Sequence, residues 1–407
     1  MNDLSLAWRN IWRHPRRSIL TMMAIGFAAM LLVFMLSFQF GSYESMINAS
    51  VKLATGHLQV QGKGYNTKPE MRNVVPTPKA IMDKLSKTQG VDSVTPRAQT
   101  FVLASSDTRI RGVLVTGVDP EREKEVFTIP SLIRNGDYLS DKAPNTVIVG
   151  ALLAKRLNTG VGKELTLLGQ SFDGSIAATV VTVRGIFKSG IDAVDRAAIQ
   201  MLLTDFDDLF VMNGAVHTVV AIIDELSQTA PLKAALEKDP LLKPLAVLDW
   251  IDLTPGLKQS IQMDLVGGII MYGILIIVVA FSILNTFLMA VFERTREFGV
   301  MMAIGTTPRR LVKVMLMESM FMTGVGILAG MVTGALLTVY FSHAGISMGG
   351  ATDLMAQYGM SGRLYPRLSL LSLLVGPTII GVVTFLTALF PALKIPHLKP
   401  VDAMKAV

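Results

Sequence analysis

The stretch Ala290–Leu311, AVFERTREFGVMMAIGTTPRRL, places six charged side chains and a Gly-Thr-Thr-Pro turn between two strongly apolar segments. A charged side chain at the centre of a lipid bilayer costs about 2.5–3.5 kcal/mol on insertion scales. The charges of this stretch are therefore expected at or beyond the membrane interface. The stretch separates two membrane helices, and its contacts are expected to explain what the protein does.

The composition of the chain is that of a membrane protein. Of its 407 residues 51% are hydrophobic, and the mean hydropathy is +0.48, which excludes an ordinary soluble protein. A spanning helix needs about 20 apolar residues. Four windows without charge are long enough: Ser18–Tyr43, Leu265–Phe292, Ser319–Thr352 and Leu368–Leu393. The predicted fold class is an α-helical membrane protein with four transmembrane helices and a large α+β periplasmic domain inserted between helices 1 and 2.

The distribution of Lys and Arg predicts the orientation of these helices. The two chain ends and the loop after the second helix carry 12 basic residues against four acidic ones, so this side is expected to be cytoplasmic. The net charge of +7 belongs to this rim, which anionic lipids attract, and it does not indicate a nucleic-acid surface. The chain has no cysteine, which suits a bacterial periplasm on the other side.

These observations divide the chain into nine segments. They are a cytoplasmic amphipathic helix (1–17), transmembrane helix 1 (18–43), a periplasmic α+β domain (44–264), transmembrane helix 2 (265–292), a cytoplasmic loop with a short helix (293–313), transmembrane helix 3 (314–342), a short periplasmic loop (343–367), transmembrane helix 4 (368–393) and a cytoplasmic tail (394–407).

The N-terminal segment is predicted to be an interfacial helix, with a plain positive-inside flank as the alternative. An apolar face and a basic face are separated at helical spacing: Leu4, Trp8, Ile11 and Trp12 against Arg9, Arg13 and Arg16. Indole rings prefer the headgroup level, and basic residues attract lipid phosphates. The following apolar run is too long for a signal peptide and lacks an A-x-A-like site, so an uncleaved anchor is expected.

The segment between helices 1 and 2 shows short strands and helices. "HLQVQ" alternates as a strand does, and "TPKAIMDKLSKTQG" has a helix start, an amphipathic middle and a Gly stop. "NTVIVGALLAKRLNTGVGKELTLLG" predicts a strand, a helix, a Gly-rich turn and a second strand. The domain is therefore expected to be mixed α+β.

Motifs for catalysis are absent from the sequence. No G-x-x-x-x-G-K-[ST] phosphate loop occurs, and Gly162-Lys163 is followed by Glu164. The five histidines are scattered without the spacing of a zinc site. The chain has 24 methionines, but runs such as "MMAIGFAAMLLVFM" lie in membrane segments without Cys or His partners, which favours packing over copper transport. We expect a non-catalytic subunit without a cofactor of its own.

Glycines recur at close spacing in the third membrane segment, "GVGILAGMVTG": Gly324, Gly326, Gly330 and Gly334. Glycines four apart let two helix backbones approach closely. A phosphate-binding loop is the alternative, but such loops follow strands, and this run lies inside an apolar helix. Helix packing is therefore predicted.

The charged loop is predicted to contain a short helix with an exposed apolar face. Glu293 and Glu297 lie one turn apart on one side, and Val300, Met301 and Ile304 form the apolar face. Two interpretations follow from the residues alone. The face lies on lipid, or it enters a pocket of a partner protein.

The sequence of this loop resembles the segment after the second transmembrane helix of FtsX-like ABC permeases, the type VII ABC transporters. The family pattern is roughly E-x-x-x-E-[FI]-G, a few apolar residues and A-[IL]-G. It is matched here by Glu293, Glu297, Gly299, Ala303, Ile304 and Gly305. The opening "AWRNIWRHPRRSILTMMAI" and the closing "LFPALKIPHLKPVDAMKAV" also resemble the family. "GHLQV" and "VIVGALLAKRLNTGVGKELTLL" are similar to its lipoprotein-releasing (Lol) branch.

The resemblance implies a permease that works as a homodimer or as a heterodimer with a related permease in the bacterial inner membrane. Each permease binds a cytoplasmic ABC ATPase, which holds the ATP and Mg²⁺, through the short helix of the loop, called the coupling helix in this family. The residues implied in ATPase binding are Glu293, Arg296, Glu297, Gly299, Val300, Met301, Ala303, Ile304 and Gly305.

The resemblance further implies that ATP-driven movement reaches the periplasmic domain and that a lipoprotein or another hydrophobic substrate is extracted or exported. A periplasmic chaperone or an outer-membrane component is a further candidate partner. The Lol subunit that recruits the chaperone carries a protruding loop, whereas the connection Leu168–Val180 is short and polar here, so a subunit without this loop remains the alternative. The rival function is a signalling scaffold that activates a periplasmic cell-wall hydrolase without transport.

Overall fold

The computed structural model describes residues 3–347, 349–351, 363–393 and 395, which belong to two units. The helical unit comprises Met1–Tyr43, Ile261–Ser347 and Leu364–Val407, and the sheet unit comprises Glu44–Ser260 and Met348–Arg363. Most of the predicted tail (394–407) and residues 352–362 of the predicted loop lie outside the described residues.

The secondary structure follows the chain in this order. The elements are α1 (Asp3–Ile11), α2 (Pro15–Ser50), a π-helical turn (Val51–Thr55), β1 (Leu58–Gly62), α3 (Pro78–Ser86), β2 (Val91–Ser105), β3 (Ile110–Val118), α4 (Pro120–Val126), a 3-10 turn (Ile129–Leu132), β4 (Ile133–Gly136), β5 (Thr146–Gly150), α5 (Ala151–Leu157), β6 (Glu164–Gln170), β7 (Ile176–Phe187), α6 (Asp192–Ala197), β8 (Ala198–Leu202), α7 (Leu203–Phe210), β9 (Thr218–Ile223), a 3-10 turn (Leu226–Gln228), α8 (Thr229–Leu236), β10 (Leu245–Asp249), α9 (Trp250–Leu253), α10 (Pro255–Glu293), α11 (Thr295–Ala303), α12 (Pro308–Ala344), β11 (Ile346–Ser347), a 3-10 turn (Gly349–Ala351), β12 (Arg363–Leu364) and α13 (Leu370–Ala392).

Four helices of the described chain are long and apolar enough to cross a membrane. They are Pro15–Leu53 (α2 with most of its π-helical extension), α10, α12 and α13, with 23 to 39 residues each. Much of their apolar surface is exposed, as the surface of a lipid-facing helix is. The predicted fold class, with four such helices and a large α/β domain after the first, is confirmed.

The N-terminal region differs from the single helix predicted for residues 1–17. Helix α1 ends at Ile11, and α2 begins at Pro15, because proline has no N–H and is favoured in the first turn of a helix. Ile11 is buried, whereas Trp8 is 45% exposed and Trp12, which follows the end of α1, is 52% exposed. Trp8 packs edge-on against Phe321 of α12, with 5.9 Å between ring centroids.

The helical unit has its own core. Buried residues from all four long helices meet there, and they include Ile25 and Leu32 of α2, Phe287 of α10, Met322 of α12 and Ile380 of α13. Between α2 and α13, the Ser37 hydroxyl donates to Ser372 Oγ at 2.9 Å. The contact gives the buried Ser37 hydroxyl a partner, while the Ser372 hydroxyl also donates to the Ser369 carbonyl at 3.0 Å.

The sheet unit is built on one mixed sheet of ten strands. The strand order is β10-β1-β9-β2-β3-β8-β5-β7-β4, and β6 pairs with β2 and β7. The pairs β3–β8 and β5–β7 are parallel, and the other pairs are antiparallel. Among the described residues, three apolar clusters lie on this sheet: one under α5 and α7, one under α3 and α8, and a third around Ile148 and Phe187.

The elements predicted within this domain are found in the structure. "HLQVQ" falls on β1, "TPKAIMDKLSKTQG" on α3, and the strand–helix–turn–strand block on β5, α5 and β6. The connection Leu168–Val180, which is short and polar in sequence, contains a tight turn of residues 171–175. In this turn Asp173 Oδ1 accepts from the Ser175 N–H at 2.9 Å. No protruding loop leaves this connection.

Candidate functional site

The loop between the second and third long helices has a defined backbone. Helix α10 ends at Glu293, and Arg294 leaves the helical path with φ −99° and ψ 7° before α11 begins at Thr295. Gly305 has φ +104°, a conformation that an L side chain rarely adopts. Pro308 then starts α12. A break, a short helix and a glycine turn thus bring the chain back to the next long helix.

Helix α11 has a buried face and an exposed end. Phe298 and Gly299 are buried, and Phe298 packs in a cluster with Leu311 and Met315 of α12. Met301 is partly buried against the same cluster, so it does not stand on the exposed apolar face where the sequence placed it. The position of Phe298 fixes the rotation of α11 about its axis.

The exposed end of α11 is apolar at its tip. Ile304 is 80% exposed and Val300 is 43% exposed. Ala303, Gly305 and Arg296 are exposed beside them. The structure therefore brings Val300, Ala303 and Ile304 together at the C-terminal end of α11, whereas Arg296 and Glu297 lie in its first turn.

Ion pairs lie at the N-terminal end of α11 and on the helices beside it. The Arg17 Nη1 donates to Glu293 Oε2 at 2.7 Å, and Arg13 lies 3.8 Å from Glu297. On the neighbouring helices, Arg310 lies 3.0 Å from Asp3 and holds the pKa of that carboxyl below its ordinary value. The N-terminal arginines, predicted only as a lipid-facing rim, thus also contact the charged loop.

Two members of the charged cluster were not singled out from the sequence. Arg294 Nη1 donates to both carboxylate oxygens of Glu318, at 3.0 Å each. Glu318 lies in α12 and is 8% exposed. Its position in the apolar run "MLMESMFM" was the available signal, because a carboxylate inside a membrane segment requires a partner.

The glycines of α12 lie on two sides of the helix. A β-carbon on Gly326 would meet Met22 O at 2.8 Å, and one on Gly334 would meet Val33 Cβ at 3.0 Å. Gly330 also faces α2, at Gly26 and Ala29. Gly324, which the sequence grouped with these three, faces open space. Three of the four predicted glycines therefore line the contact with α2.

A cavity of about 650 Å³ lies between α2 and α10. Its walls are largely apolar and include Phe34, Phe38 and Met271. A polar network closes one end. The Tyr43 hydroxyl donates to Asp264 Oδ2 at 2.6 Å, and Gln39 Nε2 donates both to the Tyr43 hydroxyl oxygen and to Asp264 Oδ2. A molecule bound in this cavity would therefore contact both the apolar side chains and the Asp264 carboxylate.

In the part of the chain that the structure describes, no group of three or more His, Cys, Asp or Glu side chains is placed to hold a metal ion.

Two protein families match this chain. Residues 269–400 match the FtsX-like permease C-terminal family, and residues 18–239 match the MacB-like periplasmic core domain, which is more than half of the chain. The chain therefore belongs to the FtsX-like permeases that carry a MacB-like periplasmic core domain, as the loop motif predicted. It is an ABC transporter permease of the LolC and MacB type.

Individual relatives are similar over most of the chain. The lipoprotein-releasing system transmembrane protein LolC of Neisseria meningitidis serogroup B is 24% identical over 337 residues, which cover 80% of this chain and 78% of that protein. The macrolide export ATP-binding/permease protein MacB of Shewanella sp. strain W3-18-1 is 22% identical over 403 residues, which cover 96% of this chain but only 58% of MacB.

One related solved structure is the periplasmic region of MacB from Actinobacillus actinomycetemcomitans. It is 15% identical, covers 52% of this chain and 94% of that one, and has a TM-score of 0.36.

Proposed function

We propose that this chain is the membrane subunit of an ABC transporter that docks a separate cytoplasmic ATPase on α11. The observation that carries the proposal is the exposed apolar tip of α11, where Ile304 is 80% exposed and Val300 is 43% exposed, while Arg296 and Glu297 are exposed on the same helix. An apolar anchor beside polar, solvent-accessible residues is the usual anatomy of a protein-binding surface. The residues expected to contact the ATPase are the exposed members of the set implied by the family resemblance: Glu293, Arg296, Glu297, Val300, Ala303, Ile304 and Gly305. Gly299 and Met301, which belong to the same set, pack toward the helical unit instead.

ATP hydrolysis is assigned to the partner for a chemical reason. The MacB relatives are named ATP-binding/permease proteins, and this chain spans about three fifths of their length. The sequence contains no phosphate loop that would bind ATP and Mg²⁺ in the P-loop manner. The ATPase is therefore a separate subunit in this proposal, and the purified chain alone should hydrolyse no ATP.

The substrate class is a lipoprotein or another amphiphilic molecule of the inner membrane and periplasm. The name of the LolC relative supports lipoprotein release. The cavity between α2 and α10 supports it too, because apolar walls beside a polar network at Asp264 suit a molecule with acyl chains and a polar head.

The proposed assembly is a dimer, either of two copies or with a related permease, in the bacterial inner membrane. The family match to a periplasmic core domain supports placing the sheet unit in the periplasm. A periplasmic chaperone or outer-membrane component would then receive the substrate. The tight turn at residues 171–175 favours a subunit that lacks the chaperone-recruiting loop.

The test is Ile304→Asp, assayed by co-purification with a co-expressed ABC ATPase that binds the parent chain. Burial of an unpaired carboxylate in the partner's pocket costs several kcal/mol, so the affinity should fall by about a hundredfold or more. The variant should reach normal membrane levels, because Ile304 is already outside the apolar core of the unit. Glu297→Lys should weaken binding less, because its side chain is 45% exposed.

The matched control is Thr307→Asp, which adds the same carboxylate three residues away. Thr307 is the N-cap of α12, a position where aspartate is favoured. Full ATPase binding by Ile304→Asp would show that α11 lies on lipid and would overturn the docking proposal. An ATPase that binds but drives no substrate release would favour the signalling scaffold.

A further inference from the structure

The junction between α10 and α11 is tied to two different helices through two consecutive residues. Glu293, the last residue of α10, accepts from Arg17 of α2 at 2.7 Å. Arg294, the next residue, donates to Glu318 of α12. The backbone leaves helical geometry at Arg294 itself. The two ion pairs therefore lie at the point where the short helix joins the long one.

The pair between Arg294 and Glu318 is largely shielded from solvent. The side chains of Arg294 and Glu318 are 13% and 11% exposed. They line a small cavity of about 50 Å³ whose walls combine apolar side chains, such as Phe287, with polar ones, such as His14 and Arg17. Removal from solvent strengthens an ion pair once it is formed, and it makes the loss of one partner costly. This pair is therefore a fixed connection between helices, unlike an exposed pair.

Two nitrogen atoms of the cluster have no partner of their own. Arg17 Nη2 and Arg294 Nε are buried and make no hydrogen bond. Arg294 Nε lies 4.0 Å from the Glu297 carboxylate, beyond hydrogen-bond reach. The Arg294 side chain thus lies between two carboxylates, that of Glu318 on α12, which it contacts, and that of Glu297 on α11, which is more distant. A small displacement of α11 would change the distance between Arg294 and Glu297 without breaking the ion pair between Arg294 and Glu318.

We propose that Glu318, through Arg294, is the positioning residue that fixes α11 to α12, and that Glu293 with Arg17 fixes the same junction to α2. The role rests on the proposed function, because it assigns the contacts by which an ATPase-driven movement of α11 enters the membrane helices. The hydrophobic cluster around Phe298 sets where α11 packs. The ion pairs make the junction move together with α12 and α2.

The first experiment measures the position of α11 in the chain alone. The chain has no cysteine, so Arg296→Cys and Lys313→Cys place two spin labels on exposed sites of α11 and α12. In nanodiscs, electron-spin distance measurements should give a narrow distribution for the parent chain. Glu318→Gln should broaden it, because a neutral amide no longer holds the Arg294 guanidinium as strongly.

The second experiment restores the pair with reversed charges. Arg294→Glu combined with Glu318→Arg should return the narrow distribution, whereas either change alone should broaden it. Arg13→Gln is the matched control, because it breaks an exposed pair in the same region, 61% and 45% exposed, with little expected effect. Unchanged distributions in Glu318→Gln would overturn the proposal.

The third experiment measures coupling in the complex with the ATPase. Glu318→Gln should still co-purify with the ATPase and retain its ATP hydrolysis, while ATP-driven substrate release falls by roughly tenfold, a usual size for coupling between sites. Normal release by this variant would also overturn the proposal. If the parent chain binds no ATPase, the proposed function fails, and the distance measurements still decide whether Glu318 positions α11.

Discussion

Gly330 of α12 lies directly against Gly26 of α2, close enough that a β-carbon at position 330 would meet the Gly26 carbonyl and would come within 2.7 Å of Ala29 Cβ. The contact joins the first and third long helices of the helical unit. Because lipid tails are as apolar as leucine, helices in a membrane associate through close packing rather than through the hydrophobic effect. Small residues on both helices make this packing possible.

We therefore expect Gly330→Val to destabilise the helical unit. The added side chain must displace the α2 backbone, and overpacking of this kind typically costs about 1–3 kcal/mol. The thermal midpoint of the detergent-solubilised chain should fall. Gly324→Val is the matched control, because a β-carbon at Gly324 meets open space on the same helix. Equal midpoints for the two variants would contradict the assigned contact.

The buried ion pair of the sheet unit gives a second prediction. Arg97 of β2 pairs with Glu123 of α4, and Glu123 is fully buried. The Arg97 guanidinium also lies 3.3 Å from the centre of the Phe127 ring. Burial raises the pKa of Glu123, although Arg97 opposes the rise. The pair attaches α4 to the sheet in an environment where a lone charge is costly.

Glu123→Gln should destabilise the sheet unit by about 3–5 kcal/mol, because it removes the charge that neutralises Arg97. The double change Glu123→Leu with Arg97→Met should recover much of the loss, since both charges are then absent. Glu121→Gln, at an exposed pair with Lys124, is the control. Thermal unfolding of the solubilised chain measures all three. A stable Glu123→Gln variant would disprove the structural role of the pair.

Two buried histidines predict a dependence of stability on pH. His57 Nδ1 accepts from the Ile223 N–H at 3.1 Å, and His217 Nδ1 accepts from the Gln99 N–H at 3.0 Å. A proton on either nitrogen would place two donors face to face. Burial lowers the pKa of His57 to about 4, with Lys52 adding to the effect, and burial lowers the pKa of His217 to about 4.

Because these pKa values are lower in the folded state, the unfolded chain binds more protons between about pH 6.5 and pH 4. Stability should therefore fall as the pH falls through this window, by up to about 3 kcal/mol for each histidine. The thermal midpoint should be lower at pH 5 than at pH 7. His217→Gln should reduce the difference, whereas His343→Gln, at an exposed site on α12, should not. An unchanged slope in His217→Gln would exclude this histidine as the cause.

The proposed orientation is testable because the chain has no cysteine of its own. Single cysteines at Lys142 of the sheet unit and Arg309 of α12 are both at exposed positions. A membrane-impermeant maleimide added to spheroplasts should label Lys142→Cys at once, and Arg309→Cys only after permeabilisation. The basic residues on the side of Arg309 are the physical reason. The reverse labelling order would refute the topology.

The sequence by itself determined the long helices and the character of the charged loop. Apolar runs longer than a bilayer, a proline at the start of α12 and a glycine at position 305 act through neighbouring residues, so they can be found without knowing the fold. The family motif around Glu293 and Glu297 is equally local, and the family matches confirm the class that it predicted.

Only the tertiary structure decided which residues meet across helices. Arg294 and Glu318 are 24 residues apart, and Gly26 and Gly330 are further apart still, so their contacts depend on how each helix is rotated about its axis. The same rotation turns Gly324 away from α2 and packs Met301 against the cluster around Phe298. Helical spacing in the sequence identifies residues that share a face, but only the packing of neighbouring helices determines whether that face is buried.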